Sequence, residues 1–437
     1  MANQIKAAFF NALILWARRK FHFRLTALKK FKKELFQYFP KGTTGEVWPG
    51  NLDYMKLLLL EPYFTGSHAS WSEEYAQCSR HQVDILSLPG RHWKWRMHGG
   101  AVTLARQFLE RREPVDLLLA SAMLDLTTFL ALTRSKSASV PSVLYFHENQ
   151  LTYPWSPRDG DPAKRRDIHY GFINYASALA ADRVLFNSHY HRRAFLEALP
   201  EFLGVFPDHR ETAAIDQIAA KSQVLPLGLD LQRFDSHRPQ LEDDPARPPL
   251  LLWNHRWEYD KNPEEFFQAL FLLQDEGLEF QVAILGESFA EQPNIFSEAR
   301  RRLGERIVQF GYADDFSDYA RWLWRADILP VTAIHDFFGI SVVQAMHCDC
   351  HPLLPKRLAY PEHVPQAHHG DYFYNDFEDL VARLAKLIEQ APARRCRSVR
   401  PFVSGYDWHL LGACYDDLLA EILNEKVFAN ASRRGDA

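Results

Sequence analysis

The chain has 437 residues, 47% of them hydrophobic and 24% charged, with a net charge of −4. That length exceeds a single core and implies two or three domains, and the composition excludes a globally disordered chain. Charge is uneven: residues 1–50 carry ten Lys or Arg against two Glu, so this segment stands at +8 and the remainder at −12.

Residues 1–54 read as a basic accessory segment. Lys29, Lys30, Lys32 and Lys33 interleave with Leu25, Leu28, Phe31, Leu35 and Phe36 at helical spacing, which predicts a basic amphipathic helix. Three readings stay open: a contact to a polyanion such as tRNA, peripheral contact with an anionic membrane surface, or a stretch that is not native. The third arises because Met55 opens directly into an apolar strand. The apolar run Ala7–Ala17 holds 11 residues, short of the roughly 20 that span a bilayer. Arg18-Arg19-Lys20 follows it where a secretory signal would have its cleavage site. A cytoplasmic protein without stable membrane insertion is therefore expected. Cys78, Cys348, Cys350, Cys396 and Cys414 form no zinc spacing or disulfide ladder, and a structural role is expected for them.

From Met55 onward, short apolar runs alternate with segments long enough for helices. Leu57–Leu60, Val83–Leu88, Val115–Ala120, Val143–Phe146, Arg183–Phe186 and Gln223–Leu227 predict the strands of a first sheet. Residues 55–234 thus form one α/β domain. A linker over 235–249, rich in proline and acid, follows. Leu250–Trp253, Gln281–Leu285, Ile307–Phe310, Ile328–Thr332 and Pro352–Leu354 predict a second sheet within residues 250–400. Trp408 to Leu423 reads as a terminal helix within residues 401–437. Two doubly wound, Rossmann-like domains facing across a cleft would bind ligands at the carboxyl ends of both sheets.

Four loops at those ends carry chemistry. Gly66-Ser67-His68 opens a helix, where a close backbone and helix N-terminus suit an anion; an ordinary βα turn has the same residues. His147-Glu148-Asn149-Gln150 puts four polar side chains at a strand end, a costly arrangement unless they are used or paired. In the run Trp253 to Pro263, Arg256 could fork two oxygens of a diphosphate while Lys261 acts as a point charge. No Walker-type glycine pattern accompanies them. In the last loop Asp336 leaves a strand, Gly339 permits close approach, and Gln344 lies two helical turns on.

The carboxyl half resembles the retaining glycosyltransferases of family 4, which have the GT-B architecture. Arg256 and Lys261 match the family's basic pair, Asp336 and Gln344 occupy its two acid positions, and His147 matches the histidine beside the reacting sugar. The runs Glu61–His68, Arg91–Arg96, Tyr145–Pro154, Phe186–Ser188, Pro207–Arg210 and Trp253–Glu258 further resemble the tRNA-queuosine mannosyltransferase group.

The resemblance implies a retaining transfer of a hexose, mannose from GDP-mannose, onto queuosine in tRNA, with no cofactor and no metal. It implies catalytic roles for His147 and Asp336. Donor binding falls to Gly66, Ser67, His68, Asn254, Arg256, Lys261, Phe338, Gly339, Ile340 and Gln344. Acceptor binding falls to Arg91, Trp93, Lys94, Trp95, Arg96, Glu148, Asn149, Tyr170, Asp208, His209 and Arg210. It also implies a terminal helix crossing back to the first domain. Two positions depart from the family pattern: Gln344 stands where Glu is usual and gives up charge assistance, and Asp336 is one methylene shorter than the commoner Glu. A family 4 enzyme acting on a membrane lipid or other small acceptor is the nearest alternative. A catalytically inactive RNA-binding module is the alternative from another class.

Overall fold

The computed structural model describes residues 54–157, 159–162, 168–240, 247–287, 293–390 and 398–435. The readings for residues 1–53, the basic helix among them, and for the middle of the linker lie outside the described residues.

Two six-stranded sheets, every pairing in them parallel, carry the fold. The first comprises β1 (Lys56–Phe64), β2 (Gln82–Pro89), β3 (Leu117–Ser121), β4 (Ser142–Phe146), β5 (Arg183–Phe186) and β6 (Ser222–Val224). The second comprises β7 (Leu250–Trp253), β8 (Gln281–Ile284), β9 (Ile307–Phe310), β10 (Ile328–Pro330), β11 (His351–Pro355) and β12 (Phe373–Tyr374). Their orders are β2-β1-β3-β4-β5-β6 and β12-β11-β10-β7-β8-β9. Each sheet winds outward in both directions from one internal point, between β1 and β3 in the first and between β7 and β10 in the second. A doubly wound sheet opens a crevice at that point.

The leucine run of β1 has both faces covered: Leu57, Leu58, Leu59 and Leu60 are each 1% exposed or less. Each such burial is worth about 1.5–3 kcal/mol against an exposed side chain. β1 runs on past this apolar stretch to Phe64, further than the sequence suggests. The extension is possible because the carboxylate of Glu61, fully buried, accepts from the Tyr63 backbone N–H at 2.8 Å and from the His68 ring at 2.9 Å. The β12 pair was not legible either, since two residues carry no periodicity.

The last helix, Trp408–Gly435, lies against the first sheet's helix Gly66–Cys78. Asp416 accepts from the Tyr75 hydroxyl at 2.9 Å, the Ser79 hydroxyl at 2.6 Å and the Arg80 backbone N–H at 2.9 Å. Tyr415 stacks its hydroxyl among Trp71, Tyr145 and the Pro226 carbonyl. Burial raises the thiols of Cys348 and Cys350, which leaves them neutral packing residues. No helix among the described residues is long and apolar enough to cross a membrane.

Candidate active site

A cavity of about 820 Å³ lies where the carboxyl ends of the two sheets meet. Segments after β1 to β6, those after β1 and β4 foremost, supply one wall, and loops after β7, β8 and β10 supply the other.

On the first wall, His147 leaves β4 into a nest of rings. Its imidazole lies 4.4 Å from that of His68, 4.5 Å from the Trp71 ring and 4.8 Å from the Tyr145 ring. Burial, then the nearby His68 and His191, pulls its pKa well below the ordinary value, so His147 is neutral at physiological pH. Its Nε2 is buried with no hydrogen-bond partner among the described residues, and Asn187 donates to its backbone carbonyl at 2.9 Å. His68 behaves differently. Burial opposes its charged form, but the Glu61 carboxylate outweighs that and the pKa is raised. Possible metal-ligating atoms of Glu61, His68 and His147 lie within 4.8 Å of one another. Glu61 and His68 already satisfy each other by hydrogen bonding.

The second wall concentrates charge. The loop after β7 turns through a one-turn 3₁₀ helix, Tyr259–Lys261, and Asn262 in the left-handed region passes the chain into the helix Pro263–Asp275. This brings Lys261 Nζ to 3.2 Å from Asp260, 3.3 Å from Asp336 and 3.0 Å from the His335 carbonyl. Burial opposes the charge on both Lys261 and Asp336, yet each holds the other ionised: the lysine is raised and the aspartate lowered. Asp336 also accepts from the Tyr360 hydroxyl at 3.3 Å. Arg256, half exposed, reaches Glu258 at 3.0 Å and the Tyr153 hydroxyl at 3.3 Å. Burial brings His255 and His335 down to about 4, so both are neutral. His255 is hydrogen-bonded to Ser341 at 2.8 Å, and Gln344 accepts from the Tyr319 hydroxyl at 2.8 Å. Gly339 opens the helix Ile340–His347 at φ +93°, and a Cβ there would meet Tyr360 at 3.0 Å. The free N–H groups of that helix end favour an anion.

The walls touch. Glu362 accepts from the backbone N–H groups of His189 and Tyr190 at 2.9 and 2.7 Å, at the start of the helix His189–Gly204. Ser188 donates to the Phe337 carbonyl at 2.6 Å, and Phe337 stacks on His191 at 3.9 Å.

Residues 56–229 match the family described as tRNA-queuosine alpha-mannosyltransferase N-terminal, and residues 237–398 match glycosyl transferases group 1. The chain is 35% identical over 334 residues to the tRNA-queuosine alpha-mannosyltransferase of Drosophila melanogaster, covering 75% of this chain and 85% of that protein.

The chain belongs to the tRNA-queuosine alpha-mannosyltransferase family.

It is also 25% identical over 203 residues to a GDP-mannose-dependent alpha-(1-6)-phosphatidylinositol dimannoside mannosyltransferase of Mycobacterium tuberculosis, 45% of this chain and 52% of that one. Among solved structures, sucrose-phosphate synthase from Thermosynechococcus elongatus superposes with a TM-score of 0.62 at 13% identity, covering 86% of this chain and all of that one. An Anabaena protein in complex with UDP-glucose gives 0.58 at 16% identity, over 85% of this chain and all of its own. The architecture is GT-B, and the protein is a glycosyltransferase.

Of the expected donor and catalytic residues, Gly66, Ser67, His68, His147, Asn254, Arg256, Lys261, Asp336, Phe338, Gly339, Ile340 and Gln344 all line the cavity of this tRNA-queuosine alpha-mannosyltransferase family member. The expected acceptor residues divide. Trp93 and Glu148 line it. Lys94 is held by Asp159 at 2.8 Å and by Asp161, so it is not free to meet a phosphate. Asn149 is fully buried, and its side-chain oxygen accepts from the backbone N–H groups of Leu151 and Thr152, both at 3.0 Å; it builds the loop instead of facing an acceptor. Tyr170 packs with Met97, Met123 and Ile173 behind the wall. Arg91 and Trp95 are exposed outside the cavity, and the Arg96 guanidinium turns back to the Pro89 carbonyl at 3.0 Å. Asp208, His209 and Arg210 form an exposed turn that does not reach it, because the helix His189–Gly204 carries them away from the strand ends.

Tyr63, Tyr153, Trp155, Glu258 and Asp260 line the cavity without having been singled out. Tyr153 and Trp155 sit three and five residues beyond Gln150, and their only sequence signal is aromatic character next to the polar loop.

Proposed function

We propose that the protein transfers mannose from GDP-mannose, with retention, onto queuosine in tRNA, in the cytoplasm and without a metal ion. The observation that carries the reading is the facing of neutral His147 and the Arg256–Lys261 pair across one cavity. The donor diphosphate would lie against Arg256, Lys261 and the helix end after Gly339. As the bond from the sugar C1 to the phosphate oxygen breaks, negative charge gathers on the diphosphate, and these fixed groups stabilise it. The acceptor oxygen bonds C1 from the same face, and its proton passes to the departing phosphate oxygen. Neutral His147 can hydrogen-bond a sugar hydroxyl without adding positive charge beside the electron-poor C1. Asp336, held ionised by Lys261, would accept from other sugar hydroxyls.

Gln344 stands at the position where the ribose hydroxyls would be read. Its amide nitrogen can still donate to an oxygen, while its carbonyl is occupied by Tyr319. The family relative from Drosophila melanogaster is named for queuosine in tRNA. The mycobacterial relative is named for GDP-mannose. Both names support the reading. The lipid-acceptor alternative rested on residues 1–54, nearly all of them outside the described residues.

Incubating the protein and queuosine-containing tRNA with GDP-mannose, GDP-glucose and UDP-glucose, each with EDTA, tests donor and metal together. Transfer from GDP-mannose that EDTA leaves intact is expected. A preference for UDP-glucose, or loss of transfer in EDTA, would overturn that part of the reading.

A further inference from the structure

Six carboxylates line the cavity: Glu148, Asp159, Glu258, Asp260, Glu287 and Asp336. That number is unexpected in a site for a nucleoside diphosphate and an RNA, both anionic. Four are neutralised locally, Asp159 by Lys94, Glu258 by Arg256, and Asp260 and Asp336 by Lys261. Glu287 is exposed at the edge. Glu148 is different: it is half-buried, its side chain accepts only from Gln150 Nε2 at 3.1 Å, and it has no cationic partner among the described residues.

Its position is equally specific. Glu148 directly follows His147, and its charge acts on Tyr63, His68 and Tyr153, raising each of their pKa values in part. It lines the first sheet's wall of the cavity beside His147, next to where the sugar would lie. The same cavity is lined by Trp93 and Trp155, which pair at 6.2 Å between ring centres, with the Lys94 ammonium within 5.6 Å of both rings. A bare carboxylate here would repel the departing diphosphate unless a cation arrives with the acceptor.

We propose that Glu148 is the counter-ion for a protonated amine on the acceptor, and so a determinant of acceptor specificity. The inference rests on the functional reading above. Queuosine fits it chemically, because a secondary amine joins its base to the hydroxyl-bearing ring and is protonated at neutral pH. Binding that ammonium holds the ring a few bonds away with a hydroxyl turned to the sugar. A charge-assisted N–H···O⁻ bond supplies both attraction and direction. Acceptors with the same hydroxyl and no positive charge leave Glu148 unpaired and are rejected, as sites built around a polar partner reject analogues that lack it.

The test compares two tRNA acceptors: one with queuosine, and one with an isostere in which an ether oxygen replaces the amine nitrogen. Wild-type protein is expected to favour the amine in kcat/KM by about 100-fold, as expected for one desolvated charge pair. Glu148→Gln should shrink that preference to within about threefold, chiefly through KM for the amine acceptor, and Glu148→Asp should recover part of it. A Glu148→Gln variant that keeps the full preference, or a wild-type protein that transfers to both acceptors equally, would overturn the inference and leave the functional reading standing. Wild-type protein that mannosylates neither acceptor would overturn both.

Discussion

Lys261 serves two carboxylates at once, and its removal would strand Asp336 and weaken the pairing of Asp260. Lys261→Met leaves the nearly buried Asp336 without a cation among the described residues and the buried Asp260 with Arg256 alone, 3.8 Å away. A loss of about 3–5 kcal/mol in unfolding free energy is expected, as for other broken buried pairs, together with at least about 100-fold in kcat/KM. Arg256 is 46% exposed on its side chain, so screening limits its part in stability. Arg256→Ala should leave the urea midpoint nearly unchanged and lower kcat/KM by about 100-fold. Steady-state kinetics beside equilibrium unfolding separate the two variants; equal loss of stability in both would contradict the division of labour. Both cations were legible because a loop between an apolar run and Pro263 holds them, and charges there are conspicuous. Glu61 was not. Its carboxylate ends an apolar run as a solvated residue would, and only the folded chain brings the His68 ring to it. The Asp208–Arg210 turn erred the other way: polarity in a loop reads alike whether the loop faces the cavity or solvent.

At the level of elements, the helix His189–Gly204 takes a cap from the opposite domain. Ser188 accepts from the His191 N–H at 3.0 Å, and Glu362 occupies the two donors before it, those of His189 and Tyr190. A carboxylate at a helix N-terminus is worth about 0.3–1 kcal/mol near a surface. Glu362→Gln should therefore loosen closure, raising KM for the donor several-fold with kcat less affected. An unchanged KM would show that closure does not depend on this contact. Gly339 is the other element boundary that matters. Gly339→Ala puts a side chain at φ +93° and against Tyr360, and should weaken donor binding by at least about tenfold with the second sheet still folded, measurable by calorimetry. Most strands were legible, because sheets buried on two faces leave unbroken apolar runs, whereas the strand orders that set the switch points came only with the fold. The β12 pair and the full length of β1 were not legible, since the one lacks length and the other continues through a charged residue whose partner lies in the helix that follows the strand.

Across the whole molecule, His147, His191, His255, His335, His347 and His363 have pKa values below the ordinary histidine range, burial being the leading cause for each. As pH falls below about 6.5 the unfolded chain binds protons that the folded chain refuses, so stability falls, by about 1.4 kcal/mol per pH unit for each such proton. His68 runs oppositely: its raised pKa gives a contribution fully present below about 6.5 and lost as pH rises through the folded value, so it adds no slope in the acid range where the six act. Urea midpoints should therefore drop between pH 7.5 and 5.5, and a flat profile would contradict the burial of these rings. The most direct test of the central claim is transfer of labelled mannose from GDP-mannose to tRNA prepared with and without queuosine. Label confined to the queuosine-containing tRNA is predicted; label in both, or in neither while the donor is consumed, would contradict it.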